Sequence, residues 1–204
     1  MNTSLLSDRL WPTTGNAIVR FVVLAFAGSL LVAGAAQISI PMWPVPMTLQ
    51  TLVVLGLGAA YGARLGAATL GLYALEGAIG LPFFANGKSG LFDDKLDYLL
   101  PASSMGYVVG FILAAWAVGK LIESGWANSL LRSALATLAG AVLLYVPGLV
   151  WLAIWAAKTQ GMDAGAAISA ALNWGLYPFA FGDAIKAIIA GLAIPVGGLA
   201  LSRR

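Results

Sequence analysis

The sequence contains no cysteine and no histidine. Thiolate metal sites, disulfides, imidazole-bound haem or zinc, and every Ser–His or Cys–His catalytic pair are therefore excluded by inventory. Charge is also scarce: 11 basic and 8 acidic side chains amount to 9% of 204 residues, where a soluble domain carries roughly 25%. A complete nucleotide-binding Gly-rich loop is missing too. Gly87-Lys88-Ser89 has the form of its tail, but Pro82 stands where the first glycine belongs, so the chain is not expected to hydrolyse ATP by itself. No connector is long enough to bury a soluble core.

What fills the chain instead is apolar. Hydrophobic residues make up 60% of it and the mean hydropathy is +0.90, so the bilayer is its solvent. The net charge of +3 fits an excess of Lys and Arg on cytoplasmic connectors, because no basic run with interleaved aromatics points to nucleic acid.

A hydrocarbon core about 30 Å thick needs about 20 helical residues. Six stretches approach that length: Ala17 to Ala36, Thr48 to Ala63, Leu65 to Phe84, Ser103 to Gly119, Ala134 to Ala157 with a kink expected at Pro147, and Phe179 to Leu201. The first is too long for a secretory signal and is expected to be retained. Asp163 to Leu172 has the pattern of a short capped helix at the interface, too brief to cross. The fold expected is all-α, a single polytopic membrane domain over residues 1–204 with six transmembrane helices and a polar segment at 1–16. Arg9, Arg20, Arg64, Lys120, Arg132, Arg203 and Arg204 fall on the side of the termini, against Lys88, Lys95 and Lys158 on the other. Both termini are thereby expected in the cytoplasm, and the longer connectors, carrying Asp93, Asp94, Asp97, Tyr98, Trp43 and Trp174, outside.

A charge inside hydrocarbon costs about 2.5–3.5 kcal/mol on insertion scales, so each one needs a reason. Arg20 and Arg64 lie near span ends and can snorkel. Asp183 and Lys186 sit at i and i+3 on one helix face, where they either fix this helix against its neighbours or clamp a small polar ligand entering from outside. Glu76 lies near the same outer level and could pair with Lys186, meet a ligand or anchor its helix. Gln50 within the second span needs a partner for its amide. Asn86, Ser103, Ser104 and Tyr107 lie beside aromatics, as a pocket for a small amphipathic ligand requires. Ala25, Ser29 and Ala33 form a smooth stripe, either for packing within the bundle or for docking a partner protein.

Pro44-Val-Pro-Met-Thr-Leu-Gln50, Gly62-Ala-Arg-Leu-Gly66, Tyr73 to Asn86, Gly106-Tyr-Val-Val-Gly-Phe111 and Gly182-Asp183-Ala-Ile-Lys186 occur in an order and spacing that resemble the BioY family, the substrate-binding S components of energy-coupling factor (ECF) biotin transporters. The resemblance runs through all six spans. It implies a multi-pass protein of the bacterial cell membrane that binds biotin from outside and delivers it through a transmembrane coupling protein and a pair of cytoplasmic ATPases. It implies no enzyme activity and no cofactor. In that picture Asp183, Lys186 and Asn86 contact ligand, with Asp183 serving the ureido N–H groups and Lys186 the carbonyl or the carboxylate. Tyr107 and Gln50 are weaker counterparts, and the Ala25, Ser29, Ala33 stripe matches the face presented to the coupling protein. Where many members read Gly-Pro-Thr-Gly-Gly-Tyr, this chain has Leu100-Pro-Ala-Ser-Ser-Met-Gly-Tyr107, so either Ser103 or Ser104 takes the place of the threonine hydroxyl. A solitary carrier for biotin or another small acid is the rival within transport. An intramembrane enzyme using Asp183, Glu76 and Lys186 is the rival from another class, and it lacks a histidine base.

Overall fold

A computed structural model describes residues 5, 16–90 and 102–202 of the chain, with backbone alone for 194–202. Six α-helices stand among the described residues: α1 Ala17–Gln37, α2 Gln50–Ala78, α3 Met105–Glu123, α4 Leu130–Gln160, α5 Ala164–Gly175 and α6 Tyr177–Ser202. Between α1 and α2, the strands β1 (Ser39–Ile40) and β2 (Met47–Thr48) pair antiparallel, Ser39 opposite Thr48. Asn16 starts α1 by accepting the backbone N–H of Ile18 at 2.9 Å, which satisfies a donor that the first helical turn leaves open.

The second helix is in fact a hairpin. At Gly62 the backbone takes φ 79° and ψ 179°, a conformation open essentially to glycine alone. A side chain on Gly66 would meet Gly58 Cα at 3.3 Å, and the Gln50 amide reaches the Tyr73 hydroxyl at 2.8 Å. In a straight helix those last two residues would stand about 35 Å apart at 1.5 Å per residue. The arms Gln50–Tyr61 and Ala63–Ala78 therefore run antiparallel. Glu123 at the end of α3 holds the corner, its Oε1 accepting the Ala63 N–H at 2.8 Å, an open donor at the start of the second arm. Gly62→Ala would be strained in φ and would set its Cβ 2.5 Å from that carboxylate. The expected cost is about 1–3 kcal/mol, read as a drop of roughly 2–12 °C in the thermal midpoint of the purified protein. An unchanged midpoint would place the corner elsewhere.

The expected spans meet this architecture with adjustments. The turn between the second and third lies at Gly62 instead of at Arg64, and the third ends at Ala78 instead of Phe84, because Gly80 at φ 112° and Pro82 break the helix. Helix α4 runs through Pro147 without interruption. Asp163 caps α5 as expected, accepting the Ala166 N–H at 2.9 Å. That helix is inclined 43° to α6. By length and composition, α1, α3 and α4 qualify as membrane spans, α2 does so when its two arms are taken as one run, and the bent α5–α6 pair makes a fifth.

Burial runs outward to inward as a bilayer solvent dictates. Small residues let helices close up: a side chain on Gly58 would strike the Ala115 carbonyl at 2.7 Å, and Thr137 bonds the Ala187 carbonyl across α4 and α6 at 2.7 Å. Val19, Phe26, Val142, Val146 and Phe181 are exposed, which water would penalise and lipid does not. The stripe Ala25, Ser29, Ala33 is buried within this chain, at 5%, 0% and 7% exposure. It therefore packs α1 within this chain. A side chain added to neighbouring Gly28 would meet Thr69 and Tyr61 of the hairpin. Arg9, Arg203 and Arg204, which carry part of the orientation argument, lie outside the described residues.

Candidate functional site

The β1–β2 loop, the hairpin, the start of α3, and helices α4 and α6 enclose a cavity of about 320 Å³, within the range of small-ligand sites. Its most polar wall is Asp183, 6% exposed. Lys186 Nζ lies 2.9 Å from Asp183 Oδ1 and also donates to the Thr48 carbonyl at 2.7 Å. The Tyr145 hydroxyl donates to Asp183 Oδ2 at 2.7 Å. A buried carboxylate is tolerated when it is paired and hydrogen-bonded in this way. Lys186 stands behind Asp183 and is not part of the cavity wall.

Thr48 joins this group to a second one. Its hydroxyl donates to Gln50 Oε1 at 3.1 Å, while Gln50 Nε2 donates to Tyr73, whose hydroxyl reaches the Phe83 carbonyl at 3.3 Å. Asn86 lines the cavity from a left-handed position, φ 62°, a conformation asparagine adopts more readily than bulky residues. Its Oδ1 accepts from Ser39 at 3.1 Å. Gln37 at the end of α1 steadies the same turn by accepting the Gly87 N–H at 2.9 Å. The Asn86 amide N–H groups remain the donors this turn can offer a ligand.

Ser103 and Ser104 both line the cavity, but Ser103 donates its hydroxyl to the Pro44 carbonyl at 2.6 Å. Ser104 is the better placed of the two for a ligand. Tyr107 donates to the Gly175 carbonyl at 2.8 Å and offers the cavity its ring more than its hydroxyl. That ring meets Tyr145 edge-on at 6.1 Å. Trp43, 65% exposed, packs edge-on against Trp174 at 5.2 Å and Trp155 at 6.1 Å, so an aromatic cluster borders the cavity on the side of the β1–β2 loop. Glu76 is not in the wall and does not meet Lys186. It is 6% exposed, with Oε2 unpartnered. Asp93, Asp94, Lys95, Asp97, Tyr98, Leu100 and Pro101 lie outside the described residues.

Tyr145, Thr48, Tyr73 and Lys88 also line the cavity, and sequence reasoning names none of them as a site residue. A tyrosine in the middle of a charge-free span was the available signal for Tyr145, since its hydroxyl needs a partner there. Taken together, the site sets acceptors beside donors. A carboxylate offers about four acceptor positions, of which Asp183 uses two, and Asn86 and Gln50 supply amide N–H groups a few residues away in the fold. Aromatic rings form the remainder. Such a site suits a compact ligand with adjacent N–H and carbonyl groups on an apolar body.

The chain matches the model of the BioY family over residues 3–202. It is 32% identical to the biotin transporter BioY of Thermotoga maritima, covering 85% of this chain and 93% of the relative. With the biotin transporter BioY of Rhizobium etli it shares 33% identity, over 84% of this chain and 90% of that one. Among solved structures it resembles the S component for biotin from an ECF-type ABC transporter, with a TM-score of 0.70, 20% identity, and coverage of 94% and 95% of the two chains.

Proposed function

We propose, since this chain belongs to the BioY family, that it binds biotin and serves its uptake as the S component of an ECF transporter. The observation that carries this is the Asp183 carboxylate, held by Tyr145 and Lys186 in the wall of an aromatic cavity. The two ureido N–H groups of biotin take the open acceptor positions of Asp183. Lys186, behind it, orients that carboxylate and balances its charge. The ureido carbonyl is served by the Asn86 or Gln50 amide, the bicycle lies against Tyr73, Tyr107 and Phe179, and Ser104 is available at the rim. Lys88, also in the wall, brings positive charge toward the valerate carboxylate.

The arms of α2 are counted in this proposal as two crossings, which with α1, α3, α4 and the α5–α6 path makes six. An even number puts both termini on one side, the cytoplasmic one by the distribution of Lys and Arg. The cavity then opens outward. Energy comes from a transmembrane coupling protein and two ATPases, since the chain has no nucleotide-binding loop of its own. No catalytic step and no cofactor enter the proposal. Mass spectrometry of small molecules released from the purified protein tests it directly. Intact biotin near one equivalent is expected, and a different ligand, or biotin failing to bind on addition, overturns it.

A further inference from the structure

A second crevice opens between α4 and α6, with a volume of about 540 Å³. Val142, Val146 and Val150 form one rim, and Ala180 and Ala184 the other. The polar side chains in its wall are Tyr145 and Asp183, and these are bonded to each other. A water there would meet these two groups alone among the wall side chains, the low end of the two to four partners that hold buried water in place. On α4, Leu131 and Leu135 before the crevice and Ile154 beyond it are exposed, so the crevice opens onto apolar surface at both ends. From Leu138 to Val150 it extends about 18 Å at 1.5 Å per residue, close to the roughly 15 Å depth of one leaflet's hydrocarbon. A helix about 10 Å across and of that length fills on the order of 1,400 Å³, more than the crevice holds.

We infer that this crevice is a binding site for a single lipid acyl chain. It is separate from the polar cavity, and the Tyr145–Asp183 pair is the partition between them. The inference does not depend on which ligand the polar cavity takes.

The test is photocrosslinking in phosphatidylcholine nanodiscs that contain a lipid with a diazirine in its acyl chain, with adducts mapped by peptide mass spectrometry. Adducts on Val142, Val146 and Ala180 are expected to exceed those on the comparably exposed Val22 and Phe26 of α1 several-fold. Filling the crevice with Ala184→Leu should abolish that excess and leave α1 labelling unchanged. Equal labelling of the two faces in the unaltered protein assigns the crevice to ordinary boundary lipid and overturns the inference. A crevice labelled less than α1 assigns it to a protein partner with the same consequence. Because the comparison of the two faces is made in the unaltered protein, it stands even if the filled variant fails to fold.

Discussion

Lys186→Ala is expected to destabilise the ligand-free protein by about 3–5 kcal/mol, the range for removing one member of a buried ion pair. The side chains of Lys186 and Asp183 are 15% and 8% exposed, so water cannot take over the role of the missing ammonium. Asp183 would be left with the Tyr145 hydroxyl as its partner, and the Thr48 carbonyl would lose its donor. At roughly 2–4 °C per kcal/mol for a chain of this size, the thermal midpoint in detergent should fall by roughly 6–20 °C. Removing both charges, as Asp183→Asn with Lys186→Met, should recover most of that loss, because no uncompensated charge stays buried. A Lys186→Ala midpoint within 2 °C of the parent would mean that the pair contributes nothing to the fold.

The second large effect falls on ligand affinity. Asp183→Asn keeps the size of the side chain and replaces one acceptor oxygen with an N–H donor, which faces the ligand's own N–H groups. Each hydrogen bond to a charged group is worth about 1.5–3 kcal/mol, and 1.4 kcal/mol is a factor of ten in Kd. With two such contacts, biotin binding measured by calorimetric titration should weaken by about 100-fold or more. Tyr145→Phe removes only the bond that orients the carboxylate and is expected to cost about tenfold. Unchanged affinity in Asp183→Asn would sink the proposed clamp. Equal losses in both variants would mean that orientation, and not direct contact, is what Asp183 provides.

What the sequence disclosed follows the range of each interaction. Solvent class was legible from charge alone, and the Asp183–Lys186 pair from helix periodicity, since i and i+3 share a face wherever the helix lies. The partners that make the pair tolerable, Tyr145 and Thr48, come from other elements, and no local pattern points to them. The small-residue stripe on α1 correctly signals a close helix approach, yet spacing cannot say whether the approaching helix belongs to the same chain. Burial of Ala25, Ser29 and Ala33 answers that. For α2, hydropathy marked two spans, while the corner required knowing that Gly62 alone could take its backbone angles. Glu76 drew attention as an intramembrane charge, but its depth gave no direction, and the cavity lies elsewhere.

The bond from Lys186 to the Thr48 carbonyl joins residues 138 positions apart. Helices enter the membrane in the order they leave the ribosome, so this closure, and the cavity wall it supports, forms only after α6 has been synthesised. A chain truncated before α6 can insert its earlier helices yet has no ligand site to complete. Ligand present during synthesis therefore binds only finished molecules and favours them by mass action, which makes the vitamin a report on completed biogenesis as well as cargo.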